Sequence, residues 1–319
     1  MYRIGVDLGG TNIAAAIVSD DFKIIKKKSV PTGKERGPSF IMDDMAELCR
    51  SLCDEAGVSL SDIDAIGIAS PGVGNHTDGV VEYSCNLRFR RFPICKELSD
   101  RLGFKNIHVE NDANAAAWGE AVAGAAKGTK NSVMITLGTG VGGGIIIDGK
   151  VFSGFNYAGG ELGHMVIEAG GRQCNCGRRG CWETYSSATA LIRMTNEKLD
   201  ECEKTGRSTA MTDIVAKHGK VTGRTAFDGM RAGDAAAKEV VDTYLKYLSC
   251  GLINMINIFQ PEVLSIGGGV SGEGQALIDM MIDVINKEQY GSDFVAHTKV
   301  RIAELGNDAG IIGAAFLGI

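Results

Sequence analysis

One device occurs twice along this chain: a strand, a glycine-rich turn and a returning strand. The first copy runs through Ile4-Gly-Val-Asp7-Leu-Gly9-Gly10-Thr11-Asn12-Ile13 into Ala-Ala-Ala-Ile-Val18. The second runs from 133–137 through Gly138-Thr139-Gly140-Val-Gly-Gly-Gly144 into Ile145-Ile146-Ile147. β-branched residues favour the pleated strand, and glycine lets the chain reverse within a few residues. After the first copy come a strand at 22–30, then a helix marked by Ile41, Met45, Leu48, Leu52 and Ala56 at spacings of three and four. A buried strand at 65–69, a helix at 94–102, a strand at 107–109 and a helix opened by Glu110-Asn111-Asp112-Ala113-Asn114 complete the order βββαβαβα. That order recurs: a strand starts at Val151, helices run from about Thr184 and over 234–259, and a strand at 263–266, a helix at 273–286, a strand at 300–303 and a last helix from Asp308 follow. The expected fold class is α/β, a duplicated domain around a central cleft. The expected division is a small domain over 1–115, completed by a C-terminal helix at 306–319, and a large domain over 116–305 with an insertion at 160–183.

The two glycine-rich turns have the chemistry of a phosphate site. Asp7 offers a carboxylate to a hydrated Mg²⁺, and the backbone N–H groups of Gly9, Gly10, Thr11 and Asn12 suit phosphate oxygens. Gly138, Thr139 and Gly140 offer a further row of N–H groups, with the Thr139 hydroxyl beside them. Two motif matches are excluded here. Gly138-Thr-Gly140-Val-Gly-Gly143 fits G-x-G-x-x-G, but a dinucleotide fingerprint needs a helix next, and isoleucines at 145–147 are strand material. Gly144 to Lys150 approaches a P-loop, yet Val151 stands where a Ser or Thr must reach Mg²⁺, so Asp148-Gly149 reads as a hairpin turn.

The insertion carries Glu161-Leu-Gly-His164 followed by Cys174-Asn-Cys176-Gly-Arg-Arg-Gly-Cys181-Trp-Glu183. One imidazole and three thiols within eighteen positions fill a tetrahedral Zn²⁺ and leave no open position, the pattern of a structural zinc. Glu161 and Glu183 flank the ligands without being needed for the ion, so they are candidates to hold something else. The remaining cysteines are scattered and the total of nine is odd, which argues against a disulfide framework; Cys49 and Cys53 lie four apart on a helix face and read as core packing. A net charge of −6 argues against a nucleic-acid surface, and no apolar run approaches the roughly 20 residues needed to cross a bilayer. The lysine triplet at 26–28 reads as the end of a solvated strand. With Met1-Tyr2-Arg3 leading straight into a strand pattern, a reducing cytoplasm is the expected location.

Asp7-Leu-Gly-Gly-Thr-Asn12, Glu161-Leu-Gly-His164, Cys174-x-Cys176-Gly-x-x-Gly-Cys181-x-Glu183 and Gly267-Gly268-Gly269-Val-Ser271 together resemble the ROK family of repressors, sugar kinases and uncharacterised reading frames, and within it the bacterial glucokinases. The resemblance covers essentially the whole chain. It implies the RNase H-like, actin- and hexokinase-type duplicated fold, ATP and Mg²⁺ as phosphoryl donor and cofactor, a structural Zn²⁺ on His164, Cys174, Cys176 and Cys181, and a homodimer. It implies that Asp112 is the general base on a sugar 6-hydroxyl, that Asn86, Asn111, Asp112, Glu161, His164 and Glu183 bind the sugar, and that Gly267, Gly268 and Gly269 let the adenosine approach the backbone. His164 would then serve the metal with one ring nitrogen and the sugar with the other.

One departure concerns specificity. Glucokinases of the family follow the substrate asparagine with Leu-Pro-Gly-Trp, whereas this chain has Asn86-Leu-Arg88-Phe-Arg90-Arg91-Phe. Glucose is the expected substrate; N-acetylmannosamine, N-acetylglucosamine, fructose and allose are the alternatives. A repressor of the family carries a helix-turn-helix before its first strand, where this sequence has three residues before Ile4. A non-catalytic sugar sensor is disfavoured by Asp112 and both phosphate turns.

Overall fold

A computed structural model describes residues 1–318. Three antiparallel strands, β1 (Tyr2–Leu8), β2 (Asn12–Ser19) and β3 (Ile24–Pro31), precede α1 (Pro38–Ala56) and β4 (Ile63–Ser70). A small sheet follows from β5 (Val73–Asn75), β6 (Val80–Ser84) and β7 (Phe89–Phe92), and then α2 (Ile94–Leu102), β8 (Ile107–Asn111) and α3 (Asp112–Ala123). The second copy opens with β9 (Ser132–Leu137), β10 (Val141–Ile147) and β11 (Lys150–Val151). After it come α4 (Glu183–Ser186), α5 (Ala188–Thr205), α6 (Ala210–His218), α7 (Thr225–Arg231), α8 (Ala235–Phe259), β12 (Val263–Gly267), α9 (Gln275–Asp279), α10 (Ile282–Glu288), β13 (Lys299–Ile302) and α11 (Ala309–Ala315).

The two five-stranded sheets are ordered β3-β2-β1-β4-β8 and β11-β10-β9-β12-β13. Renumbered within each half, both read 3-2-1-4-5, so the duplication expected from the sequence is present in the strand order. Asp148 and Gly149 both take positive φ, 51° and 72°, which makes the β10–β11 connection the hairpin turn its sequence announces. The helix expected at 273–286 is instead three pieces: a 3₁₀ turn at Gly269–Glu273, then α9 and α10. Gly274, at φ 67°, ends the first; nothing local explains the second interruption.

Compact units divide the chain at other points than residue 115. One comprises Met1–Met134, Gly144–Gly160 and Glu304–Ile319; the other Ile135–Gly143 and Glu161–Ala303. In the first unit, β1 and β4 bury both faces because α1 covers one and α11 the other. The α1 side is filled by Ile41, Met42, Met45, Leu48, Cys49 and Leu52 against Ile4, Val6, Ile66 and Ile68. Burial pushes the Cys49 thiol up to about 12, so it is inert packing. On the other side α11 meets β1, β4 and α3 at backbone distance. A methyl group on Gly5, Gly67, Gly119 or Gly313 would overlap the main chain opposite, Ile311, Ala314, Ala309 and Ala115 respectively. Glu120 ties the same seam: fully buried, its carboxylate accepts from the N–H groups of Ala125, Glu304 and Leu305. On β3, Lys26 and Lys28 pair with Glu55 and Lys27 with Asp308, so this triplet is anchored at an edge strand. No helix of the described residues is long and apolar enough to cross a membrane.

Candidate active site

In the first unit, β1, β4 and β8 run parallel, with Asp7 beside Ala69 and Ser70 beside Asn111. Parallel pairing brings the carboxyl ends of these strands to one edge, where open α/β sheets place their ligands. Asp7 and Asn111 therefore share an edge although a hundred residues separate them.

Asn111 ends β8 and caps α3: its side-chain oxygen accepts from Ala113 N at 2.9 Å and Asn114 N at 3.1 Å, and its amide donates to Gly72 O at 2.9 Å. Asn111 thus performs the capping that Asp112 could have been recruited for. Asp112, the first helical residue, is released from the N-cap role and bonds only locally, to Ala113 N at 2.9 Å. Burial pushes its carboxyl above the ordinary range against the pull of these hydrogen bonds. Burial also pushes Asp7 up, to about 6, the charge of Asp112 adding to the effect and Lys27 opposing it. A carboxylate whose proton affinity is raised by burial and by the charge of a second carboxylate is a natural seat for a cation.

Next to Asp7 the turn is tight, with Gly9 N donating to Asn12 O at 2.9 Å and Thr32 Oγ donating to Gly9 O at 2.6 Å. Gly10 leaves open space above its backbone; the nearest neighbour a methyl there would meet is Asn86 Cβ, at 3.8 Å. Thr11, Asn12 and Asn86 are exposed. The Asn86 turn, between β6 and β7, thus sits over the Asp7–Asn12 turn. Of its arginines, Arg91 pairs with Glu82 at 3.6 Å and Arg90 lies over the Tyr83 ring at 5.6 Å; the side chain of Arg88, at φ 57°, has no partner among the described residues.

In the second unit, the donor atoms of His164, Cys174, Cys176 and Cys181 lie within 4.8 Å of one another. Cys174 Sγ is 3.7 Å from His164 Nδ1, and Cys176 Sγ is 3.6 Å from Cys181 Sγ. Ligands of a tetrahedral zinc, with bonds of 2.0–2.3 Å, stand about 3.5–3.8 Å apart, so this set fits Zn²⁺. Burial pushes Cys181 up to about 12, so an ion must displace thiol protons to bind. Gly180, at φ 83°, presses on Glu168 O and admits no side chain. Trp182 is fully buried against Gly251 of α8 and donates to Tyr247 O at 3.1 Å, which anchors the end of the loop.

The glutamates divide. Glu183 Oε2 accepts from Val141 N at 3.0 Å, and a methyl on Gly140 would overlap it. The turn that begins at Gly138 and the loop bearing the clustered thiols are therefore in direct contact through one carboxylate. Glu161 is the freer, 65% exposed and 3.9 Å from His164 Nε2, the ring nitrogen that faces away from the thiols. Gly138 has open space around it, and Gly138 N donates to Gly140 O at 3.0 Å; Thr139 O accepts from Thr189. Gly267 ends β12, Gly268 takes φ 84° with its Cα pressed against the Leu137 backbone, and Gly269 opens the 3₁₀ turn, so these glycines lie next to the turn that begins at Gly138.

The sequence reading left out Glu110. It is almost fully buried, accepting from Asn111 N at 2.9 Å, from Asn114 Nδ2 at 3.1 Å and facing His76 Nδ1 at 3.2 Å. Its signal was a charged residue where strand β8 should be apolar.

The sequence profile of the ROK family matches residues 3–319. Among relatives, the glucokinase of Halalkalibacterium halodurans is 39% identical over 99% of this chain and 94% of its own length, and that of Thermotoga maritima 37% over 98% and 95%. A ROK family glucokinase from Streptomyces griseus, solved in complex with glucose and AMPPNP, superposes with a TM-score of 0.80 at 31% identity, covering 99% of each chain. A duplicated 3-2-1-4-5 sheet, a capped Asn111–Asp112 turn and a three-thiol, one-imidazole loop in one chain, with that match from end to end, make it a member of the ROK family.

Proposed function

We propose that this chain is an ATP-dependent hexose kinase that phosphorylates the 6-hydroxyl of glucose, with Asp112 as general base. The observation that carries the reading is the Asn111–Asp112 division: the asparagine caps α3, and the carboxylate beside it, its proton affinity raised by burial, stands at the strand edge with Asp7. A base with raised proton affinity takes the hydroxyl proton more readily as the oxygen attacks the γ-phosphorus in line, and the N-terminus of the twelve-residue α3 favours its anionic form beforehand. Phosphoryl transfer is otherwise positioning and charge neutralisation, so the base contributes about 10²–10⁴ in rate.

The remaining residues follow in role. N–H groups of Gly10, Thr11 and Asn12, and of Thr139 and Gly140, hold the phosphates, while those of Gly9 and Gly138 close the two turns, and Gly267, Gly268 and Gly269 let the adenosine lie close to the chain. Asp7 would hold hydrated Mg²⁺, which neutralises phosphate charge when bound. Asn86, Asn111, Glu161, His164 Nε2 and Glu183 address the sugar hydroxyls. His164 Nδ1, Cys174, Cys176 and Cys181 would hold Zn²⁺, which fixes the loop bearing both glutamates.

Arg88, two residues after Asn86 and with no side-chain partner among the described residues, supports a second reading in which another hexose or an N-acetylhexosamine (N-acetylmannosamine, N-acetylglucosamine, fructose or allose) is preferred. A cytoplasmic homodimer completes the proposal; nine free cysteines fit a reducing compartment, and exposed Ile258, Met280, Val284, Tyr290 and Phe294 supply apolar side chains that a second copy could cover.

The test is ADP release from Mg-ATP over a panel of hexoses and N-acetylhexosamines, with Asp112→Asn as control. Turnover with glucose that collapses in the variant supports the whole reading. Turnover with another sugar alone keeps the mechanism and moves the specificity to the Arg88 turn. No turnover with any sugar in zinc-replete protein sinks it.

A further inference from the structure

We propose that Glu110 and His76 are positioning residues for Asp112: the buried carboxylate clasps the Asn111–Asn114 turn, and the imidazole adjusts that grip with its protonation. The inference rests on the reading of Asp112 as the base.

Glu110 is a carboxylate with 3% of its side chain exposed, and among the described residues no lysine or arginine forms an ion pair with it. Its oxygens are engaged from three directions. Oε1 takes the N–H of Asn111 at 2.9 Å and the amide of Asn114 at 3.1 Å, the residues on either side of Asp112 and Ala113. Oε2 faces His76 Nδ1 at 3.2 Å. The clasp closes on the short segment whose geometry aims Asp112.

His76 is not a passing surface residue. Strand β5 is pressed onto the clasped turn, since a methyl on Gly74 would stand 2.9 Å from Glu110 C and 3.0 Å from Asn111 N. The turn after β5 is itself fixed, Asn75 donating to Asp78 at 3.0 Å and to Glu82 at 2.9 Å and accepting from Asp78 N at 3.0 Å. Tyr157 meets the imidazole edge-on, with ring centroids 5.0 Å apart, and donates to Thr77 Oγ1 at 2.8 Å. The ring is held between an aromatic edge and a buried carboxylate.

The titratable groups facing His76 are Glu110 on β8, Tyr157 on the 152–160 loop, Asp78 in its own turn, and His108 and Lys150, which line with it a cavity of about 320 Å³. Glu110 raises the proton affinity of His76, with burial opposing, whereas burial and then Arg3 lower that of His108. The two histidines therefore titrate apart. Below its raised pKa His76 is a cation paired with Glu110; as pH rises through that value the pair becomes a neutral hydrogen bond beside an uncompensated buried carboxylate, and the grip on Asn111 slackens. The result is an alkaline decline in kcat with little change in KM.

His76→Gln keeps an N–H donor and removes the titration. The experiment combines an NMR titration of the imidazoles of the full chain, assigned with His76→Gln, and kcat and KM against pH for wild type, His76→Gln, Glu110→Gln and Glu110→Asp. The expected results are a His76 pKa above 6.5 that falls in Glu110→Gln, an alkaline limb in kcat that is absent from His76→Gln, sugar KM within about twofold, and a roughly tenfold loss of kcat in Glu110→Gln partly restored in Glu110→Asp. A His76 that titrates at or below 6.5, or a His76→Gln profile that superimposes on wild type, overturns the proposal. A chain that phosphorylates no sugar refutes the kinase reading instead, and the imidazole titration still judges the pair.

Discussion

At the scale of single residues, Asn111 and Asp112 show how one position can free its neighbour. An aspartate at a strand-to-helix junction is an obvious cap, and its sequence cannot say whether it is spent there; the structure spends Asn111 instead. Asp112→Asn should lower kcat by about 10²–10⁴ with sugar KM within a few-fold, measured by coupled ADP release. Because burial raises the Asp112 pKa, wild-type kcat should fall as pH drops through that raised value, and the acid limb should be missing from the variant's residual activity. Asp7 makes a complementary prediction. Its carboxyl, raised to about 6, holds a proton more tightly folded than unfolded, so its contribution to stability is complete below pH 4 and lost as pH rises through about 6. Asp7→Asn should therefore have a higher Tm than wild type at pH 8 without Mg²⁺, equal Tm near pH 4, and little activity. A lower Tm at pH 8 would argue against carboxylate repulsion at this edge.

At the scale of elements, the metal loop and the α11 seam answer to different constraints. The four side chains whose donor atoms cluster at His164, Cys174, Cys176 and Cys181 were legible because soft ligands at such spacing stand out locally. Their anchor, Trp182 against Gly251, was not, since 69 residues separate the two and a glycine within a helix gives no sign of what fills its notch. Removal of zinc by a chelator, or Cys176→Ala, should loosen the Glu161–Glu183 loop, abolish sugar phosphorylation and lower Tm. Elemental analysis should find one zinc per chain in active protein, and full activity in verified zinc-free protein would refute a structural ion. The seam predicts a different outcome: Gly67→Ala forces a methyl into Ala314 O and should cost about 1–3 kcal/mol, read as a lower denaturation midpoint at unchanged slope. The sheet β5-β6-β7 escaped the sequence reading because its strands are three to five residues long, too short for alternation to declare itself. The helix expected from about Thr184 is found as α4 and α5, the latter capped by Ser187 and stopped by Gly206, whereas α6 carried equally ordinary signals, Thr209 as cap and Gly219 as stop, and could have been read.

At the scale of the whole molecule, the homodimer proposal predicts a light-scattering mass near twice 33.7 kDa, and Phe294→Asp with Tyr290→Asp should halve it if their exposed rings form the contact. The sequence by itself determined the duplicated α/β architecture, the two glycine-rich turns and the grouping of one imidazole with three thiols, because each is written in residues within a few positions of one another: alternation, glycine after a strand, thiols at short spacing. Tertiary structure alone decided that Asn111 rather than Asp112 caps α3, that Glu183 grips the Gly140 turn, that Glu110 meets His76 across 34 positions, and that glycines on β1, β4 and α3 receive α11. These depend on which strand edges and helix faces come together, and burial and hydrogen bonding across such contacts have no local signature for a sequence to carry.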